Sequence, residues 1–491
     1  MKLKLIAPAN KNEDEFWGFK YLEKISGIKA GNLPLALPTL AALTPKDIEV
    51  IIEDENIKPI DFNESVDLVG ITFFTCFAPR AYEIADEFRK RGVKVVLGGI
   101  HTSIMSEEAL HHADSIVIGE ADEIWPELIL DFKKNNLQKI YKQKKFPNLE
   151  NLPIPRWDLV DLGKYNYFPI QIGRGCPYGC EFCSVHMFNG KQYRHKSIDN
   201  VLNEIEILKK IDNKKTFFFV DDNILANSNY AKELLQKLVP LKIKWWCQAS
   251  INRLQDEKLL DLMKKAGCRE VFVGFESISK DSLHDIGKTK ANKIDEYDQT
   301  INKVHQHGIA IFGSFIFGDD NDHEDIFNET FKFIQKNNIA FVMLNILVPA
   351  PGTLLHERFK IGNRITTYNW SKYNGDHVCF QPKFMTAKEL QEGRDNLLKK
   401  IYSYNNMYER FKNLWSMGVF VREKEGRKIF TKGRILLTLK IIFNNPLNLK
   451  RNIYTLKSLW NFKVTSVMSL ILSLNFHNYS YKNYASKKYF I

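Results

Sequence analysis

Apolar and polar positions between residues 47 and 121 follow two alternating rhythms. Short β-branched runs, DIEVIIEDE (47–55), VDLVGITFF (66–74), VKVVLGGI (93–100) and SIVIGEA (115–121), are nearly continuous in apolar character. Such runs predict strands buried on both faces. Between the second and third, in APRAYEIADEFRKRG, Ala81, Ile84, Ala85 and Phe88 recur at helical spacing before Gly92, which predicts a helix that stops at the glycine. Strand and helix alternate with a period of about 20 to 25 residues, the pattern of a parallel sheet covered on both faces. Residues 1–146 are therefore expected to form a doubly wound α/β domain.

Residues 147–165, PNLENLPIPRWDLVDLGKY, hold three prolines and no clear period, and read as a linker. A second alternating series follows. Its expected strands are residues 167–175, 216–222, 244–250, 270–277, 309–318 and 340–349, with helical patterns such as IDNVLNEIEILKK and DEKLLDLMKKAG between most of them. Six such units predict a second parallel sheet, a barrel or partial barrel over residues 166–375, with its chemistry at the carboxyl ends of the strands. Residues 376–491 remain as a mostly helical accessory region.

Composition bounds the function classes. A chain of 491 residues with 44% hydrophobic and 26% charged residues and a mean hydropathy of −0.29 is globular in character and long enough for two or three domains. It has no apolar run of about 18 residues, and its N-terminus, MKLKLIAPANKNEDEF, lacks the features of a signal peptide. A cytoplasmic location is expected. The net charge of +12 is concentrated at one end: residues 421–491 carry 14 Lys/Arg against 2 Asp/Glu. The body is neutral, which argues against nucleic acid as a partner. The tail interleaves basic and apolar residues, so it either lies peripherally on an anionic membrane or packs on the barrel.

Three of seven cysteines fall within QIGRGCPYGCEFCSVHMF (171–188). The others, Cys76, Cys247, Cys268 and Cys379, stand singly in apolar surroundings, and an odd, clustered set points to reduced thiols rather than a disulfide framework. Cys176, Cys180 and Cys183 form C-x3-C-x2-C directly after the first strand of the second series. Structural zinc wants four ligands; no second cysteine pair follows, although His186 and His195 can complete such a set. Three thiolates from one loop suit three irons of a [4Fe-4S] cube, leaving the fourth open. Gly175, Pro177 and Gly179 give the loop its turns.

The ends of the first-series strands carry small or polar residues: Gly70 and Thr72, Gly98 and Gly99 with His101 and Thr102, Gly119 and Glu120. Either a ligand approaches the backbone there or the chain turns tightly. Neither G-x-G-x-x-G nor G-x-x-x-x-G-K occurs in this segment, so it is no standard nucleotide phosphate site.

The motif C-x3-C-x-Phe-C after a first barrel strand resembles the signature of the radical S-adenosylmethionine (SAM) enzymes, in which SAM chelates the open iron. The resemblance continues through FFFVDDNI (217–224), WCQAS (246–250), VGFES (273–277) and LVPAPGT (347–353). It implies that Cys176, Cys180 and Cys183 bind the cluster and that Phe182, Asp221, Gln248, Ser250, Gly274 and Glu276 face SAM. The first domain is similar to the cobalamin-binding domain of the cobalamin-dependent radical SAM family, which implies contacts from Thr72, Gly98, Gly99, His101, Thr102, Gly119 and Glu120. Where the histidine-on cobalamin proteins carry D-x-H-x-x-G, this chain has Asp54-Glu55-Asn56-Ile57-Lys58-Pro59, so cobalt would lack an imidazole from below. The stretch IGNRITTYNWSKYNGDHVCFQPKFMTAKELQEG resembles a subgroup that includes hopanoid-methylating enzymes. The family implies cobalamin-dependent methylation of an unactivated carbon in a small or lipid-like substrate, with electrons from a reductant such as flavodoxin or ferredoxin. Radical cyclisation without methyl transfer, and a non-catalytic iron–sulfur and cobalamin sensor, are the alternatives. No catalytic side chain is assigned.

Overall fold

The computed structural model describes residues 1–9, 27–31 and 33–419. The chain divides into two compact units, one comprising Met1–Glu13, Ile28–Lys237 and Leu347–Gln381, the other Asp14–Gly27, Leu238–Ile346 and Pro382–Ile491.

The first unit contains a six-stranded, wholly parallel sheet: β1 (Lys2–Ala7), β2 (Glu49–Asp54), β3 (Leu68–Thr72), β4 (Lys94–Gly98), β5 (Ser115–Ile118) and β6 (Ile140–Lys142), in the order β2-β1-β3-β4-β5-β6. The four expected strands are β2 to β5. Two were not foreseen. β1 reads K-L-K-L at its start, and the lysines hide a central strand whose Leu3 and Leu5 are fully buried. Lys4 is buried with them because it is neutralised: its Nζ lies 3.1 Å from Glu53 and 3.0 Å from Glu64, and donates to the Asp61 carbonyl at 2.7 Å. A buried ammonium persists only with such partners. β6 is a three-residue edge strand, too short to leave a period. The order reverses between β1 and β3, and in open parallel sheets ligands bind at the carboxyl side of that switch point.

The helix predicted before Gly92 is present as Ala78–Lys90, with Ala81, Ile84, Ala85 and Phe88 inward. Residues 147–165 are not a free linker. Leu149, Trp157, Leu162 and Tyr165 are buried, and the Tyr165 hydroxyl donates to the Asp54 carboxylate at 3.0 Å. Apolar anchors missing from any period fix this segment.

Of the second series, β7 (Tyr167–Ile170) ends earlier than expected; β8 (Gly173–Arg174) and β9 (Arg194–His195) form a short antiparallel ribbon, and β10 (Thr216–Phe219) pairs parallel with β7. Segment 347–381 contributes Trp370, Tyr373 and Cys379 to the apolar core on one face of the first sheet.

In the second unit, β11 (Trp245–Gln248), β12 (Cys268–Glu276), β13 (Ala310–Phe317) and β14 (Phe341–Ile346) pair successively in parallel. Helices Glu257–Lys265, Tyr297–Gln306 and Asp325–Lys336 alternate with them, as their amphipathic patterns require. Two further helices follow, Ala387–Ile401, opened by a reciprocal Thr386–Glu389 capping box, and Tyr404–Ser416. Cys247, Cys268 and Cys379 are buried, as expected of small hydrophobes, and Cys76 is half-buried. The expected membrane-binding or barrel-packing tail lies outside the described residues. Among the described residues, no helix is long and apolar enough to cross a membrane.

Candidate functional site

A crevice of about 490 Å3 opens at the switch point of the first sheet. Thr72, Gly98, Gly99, Gly119 and Glu120 line it, with Leu33, Leu37, Phe74 and Phe77 as apolar walls. Gly99 shows why side chains are absent from its floor. Its φ is +98°, and a Cβ there would lie 2.8 Å from the Phe73 carbonyl and 2.9 Å from Thr72 Oγ1, so only glycine fits.

His101 and Thr102 do not line the crevice. The sequence placed His101 at a strand end among the cobalamin contacts; it is instead fully buried in the short helix Ile100–Ile104. Its Nδ1 lies 3.2 Å from Thr75 Oγ1 and its Nε2 3.5 Å from Glu108. Burial holds the imidazole pKa below its usual value, although Glu108 works against that. Thr102 donates to the Gly98 carbonyl at 3.2 Å. Both brace the floor from behind. Asn56, where the histidine-on cobalamin proteins have histidine, turns its amide to Asp54 at 2.7 Å, so no imidazole rises from this position.

Glu120 is bound within the protein. Its carboxylate meets Arg174 Nη1 at 2.7 Å and also pairs with Arg194, while Asp122 takes the other edge of Arg174 at 3.0 Å. Burial alone would lower the Arg174 pKa, but Asp122 and Glu120 outweigh it and raise the net value. This network joins the end of β5 to β8 and β9. Gln171, Arg174, Val185, Phe188, Val220 and Asp222 line the same crevice as the glycines. Arg174 was overlooked in the sequence, although its place in QIGRGC, beside the first cysteine, was the available signal.

The cysteine loop begins at Gly175, also with φ +98°, where a Cβ would collide with the Gln192 carbonyl. Cys176 N donates to the Gly190 carbonyl at 3.2 Å and Cys183 N to the Cys180 carbonyl at 3.1 Å. Burial pushes the Cys183 thiol up to about 12, and the nearby Cys180, Asp222 and Cys176 add to it. Three thiols that oppose one another's ionisation need a positive centre to become thiolates. Among the described residues, no three His, Cys, Asp or Glu groups are gathered as a single metal ion requires. The donor set, thiols alone from one loop, is the chemistry of an iron–sulfur cube. His195 does not complete it: the ring stacks on Tyr230 at 3.9 Å and sets Nδ1 3.2 Å from the Lys196 carbonyl. Phe182 is half-buried between the last two cysteines.

Asp221 is committed elsewhere than the crevice. Its carboxylate accepts from Ile172 N at 3.0 Å, from Gly173 N and from the Tyr193 hydroxyl at 3.1 Å, and burial lifts its pKa to about 7. It follows β10 and clamps the chain just after β7, at the two residues three and four positions before Cys176. Its neighbour Asp222 is the one that reaches the crevice.

In the second unit, Gln248 ends β11 and Ser250 precedes the turn Ile251–Arg253. Glu276 ends β12 after a register shift at Gly274, with φ at +61°, a conformation a non-glycine residue holds only under constraint. The constraint is visible. Asn292 Nδ2 donates to the Gly274 and Phe275 carbonyls at 2.9 and 2.8 Å, and Lys288 ion-pairs with Glu276. A Cβ on Gly274 would lie 2.7 Å from Lys288 Nζ. Lys288 and Asn292 carried no sequence signal, since both lie in a helix-connecting segment without a motif.

Residues 32–129 match the family described as B12 binding domain, residues 170–334 the Radical SAM superfamily, and residues 353–489 a domain of unknown function, DUF4070. The bacteriochlorophyllide d C-12(1)-methyltransferase of Chlorobaculum tepidum is 33% identical over 391 residues, 78% of this chain and 85% of that protein. The bacteriochlorophyllide d C-8(2)-methyltransferase of the same organism is 36% identical over 395 residues, 75% of this chain and 88% of that protein. The solved structure of the radical S-adenosylmethionine methyltransferase TsrM from Kitasatospora setae aligns over 99% of this chain and 100% of its own, with a TM-score of 0.65 and 16% identity. At that identity the likeness is one of fold.

Proposed function

The chain belongs to the cobalamin-dependent radical SAM enzymes, whose cofactors are a [4Fe-4S] cluster, SAM and cobalamin, and from that premise we propose that it methylates an unactivated carbon of a small or lipid-like substrate. One observation carries the reading. A single crevice is lined both by glycine strand ends and by side chains flanking the cysteine loop, Arg174, Val185 and Phe188. A methyl carrier and a radical source have to face one substrate, and this is the geometry that lets them.

We assign Cys176, Cys180 and Cys183 to the cluster; Phe182, Gln248, Ser250, Gly274 and Glu276 to SAM; and Thr72, Gly98, Gly99 and Gly119 to the face of cobalamin. When bound, these groups supply one-electron cleavage of SAM, hydrogen abstraction from carbon and a transferable methyl group. The chain's own residues orient and shield. The glycine floor admits a flat ligand against backbone; Leu33, Leu37, Phe74 and Phe77 keep water from a reactive carbon. Asp221 fixes the approach to the cysteine loop, and the Glu120–Arg174–Asp122 network holds the end of β5 to β8. The apolar lining suits a lipid-like substrate or one related to the bacteriochlorophyllide d of the two Chlorobaculum relatives. Work in the cytoplasm, with a flavodoxin or ferredoxin as electron donor, completes the proposal.

The test is mass spectrometry of extracts from cells with and without the active chain, grown without oxygen on methyl-labelled methionine. A metabolite heavier by one labelled methyl group is expected. An unlabelled product that has lost hydrogen would replace methyl transfer with ring formation. Failure of the reconstituted chain to make 5'-deoxyadenosine from SAM would overturn the enzymatic reading.

A further inference from the structure

The surface just outside the cysteine loop has a character the chemistry above does not use. Strand β6 and the residues after it read K-I-Y-K-Q-K-K-F; Lys142, Lys144 and Lys145 are exposed, and Phe146 is 44% exposed. Phe146 lies against Gly190, where a Cβ would stand 2.9 Å from its ring, and the Arg194 guanidinium sits 4.8 Å from the ring centroid. The carbonyl of Gly190 accepts from Cys176 N at 3.2 Å. One glycine therefore separates a surface aromatic ring from the backbone of a cluster ligand. Lys191, exposed on the same hairpin, reaches within 3.9 Å of the Cβ position of Gly179, inside the loop.

No carboxylate among the described residues pairs with Lys142, Lys144, Lys145 or Lys191. Glu120, which holds Arg194, is also taken by Arg174, and Glu181 of the cysteine loop is paired with Arg358 at 3.3 Å. Lysines on an edge strand discourage sheet extension, which accounts for Lys142 but not for Lys191, which comes from another element. Four unpaired cations, three of them within four residues of an exposed ring and the fourth next to the Gly190 that the ring touches, form a patch suited to a partner of opposite charge.

We propose that this patch, Lys142, Lys144, Lys145, Phe146 and Lys191, is the docking surface for a small acidic flavoprotein of the flavodoxin type. Its acidic rim meets the lysines, and the edge of its planar flavin meets Phe146. The proposal rests on the assignment of Cys176, Cys180 and Cys183 to the cluster. One electron leaves the carrier's fully reduced flavin, which is oxidised by one electron, and enters the oxidised cluster, whose charge falls by one. No bond forms or breaks and no proton has to cross. Electron-transfer encounters of this kind are small and salt-sensitive, which suits a patch of five side chains.

The experiment uses the full-length reconstituted chain and its Lys144→Glu/Lys145→Glu/Lys191→Glu variant, which touches none of the assigned cofactor residues. Binding of an acidic flavodoxin is followed by fluorescence anisotropy at low and high salt, and oxidation of its reduced flavin by stopped flow; dithionite reduction of the cluster is the control. The variant is expected to bind and accept electrons about 10-fold or more weakly at low salt, to lose the salt dependence of the native chain, and to be reduced by dithionite at the native rate. Equal binding and equal electron transfer in the two chains would overturn the docking surface, as would a parallel loss of dithionite reduction in the variant. Were the native chain itself to carry no dithionite-reducible cluster, the cysteine assignment would fall instead, and the anisotropy measurement would still judge the patch.

Discussion

Two glutamates end strands in this protein, and both match family motifs for cofactor contact, yet their surroundings give them different work. Glu120, after β5, is gripped by two arginines, one of which also holds Asp122. Glu276, the last residue of β12, has one lysine and a left-handed backbone. A carboxylate held by two guanidinium groups in fixed geometry has most of its acceptor sites occupied and gives up that pairing to a ligand only at high cost. One held by a single flexible ammonium can exchange that partner for the charged end of a bound molecule. Both are carboxylates near the carboxyl end of a strand; the number and rigidity of the cations decide between tie and binding site.

The comparison is broken hardest at Arg174. Arg174→Met leaves buried Glu120 with Arg194 alone and buried Asp122 without its guanidinium partner. Loss of a partner from a buried ionic network costs about 3–5 kcal/mol, so denaturant unfolding should show a destabilisation of that size. The double change Arg174→Met/Glu120→Gln should recover part of it.

Glu276→Gln sharpens the other side. If Glu276 exchanges Lys288 for a cationic group of SAM, removing its charge loses a charge-assisted contact of about 1.5–3 kcal/mol. Equilibrium dialysis should then give SAM binding about 10- to 100-fold weaker with the fold intact; unchanged binding would make Glu276 a tie like Glu120.

Asp221 stands between the two cases, a strand-end carboxylate taken up by backbone donors. Asp221→Asn turns an N–H group toward one of the amides it now accepts from, an expected loss of about 1–3 kcal/mol. Its pH behaviour gives a second readout. The native-state pKa, raised by burial to about 7, exceeds the unfolded value of about 3.9. The folded chain therefore holds the extra proton between those values, and its contribution to stability, full below about pH 4, declines as pH rises to about 7. The asparagine variant should lack that decline in a series of unfolding curves.

The smallest effect is expected at Trp370, whose Nε1 donates to Glu108 at 2.9 Å while its ring meets His101 edge-on at 5.5 Å. Trp370→Phe keeps a ring and loses the hydrogen bond, about 1 kcal/mol. Thermal unfolding should register it as a shift of a few degrees.

Much of this architecture was legible without coordinates. Strands β2 to β5 were readable because a strand buried on both faces is a local, nearly unbroken apolar run, and the helix Ala78–Lys90 because its period is local too. The strand β1 was hidden by Lys4, whose burial depends on Glu53 and Glu64, about 50 to 60 residues away. Residues 147–165 looked like a linker because anchors such as Trp157 and Tyr165 have no period among themselves; each answers to a different part of the fold. At the site, the three cysteines were readable because one short loop supplies every thiol. Asp221 and Asp222 were not separable, since adjacent residues at a strand end point to opposite sides and only the register of β7 and β10 says which faces the crevice.

The sequence by itself determined the two alternating series, the thiol loop between them and the concentration of positive charge in the last 71 residues, all properties that neighbouring residues carry among themselves. Only the tertiary structure decided which partner each strand-end carboxylate meets. Arg174 and Glu120 are 54 positions apart, and Trp370 and Glu108 are 262 apart. Pairing across such distances follows from how sheets and loops stack, and no local pattern records it.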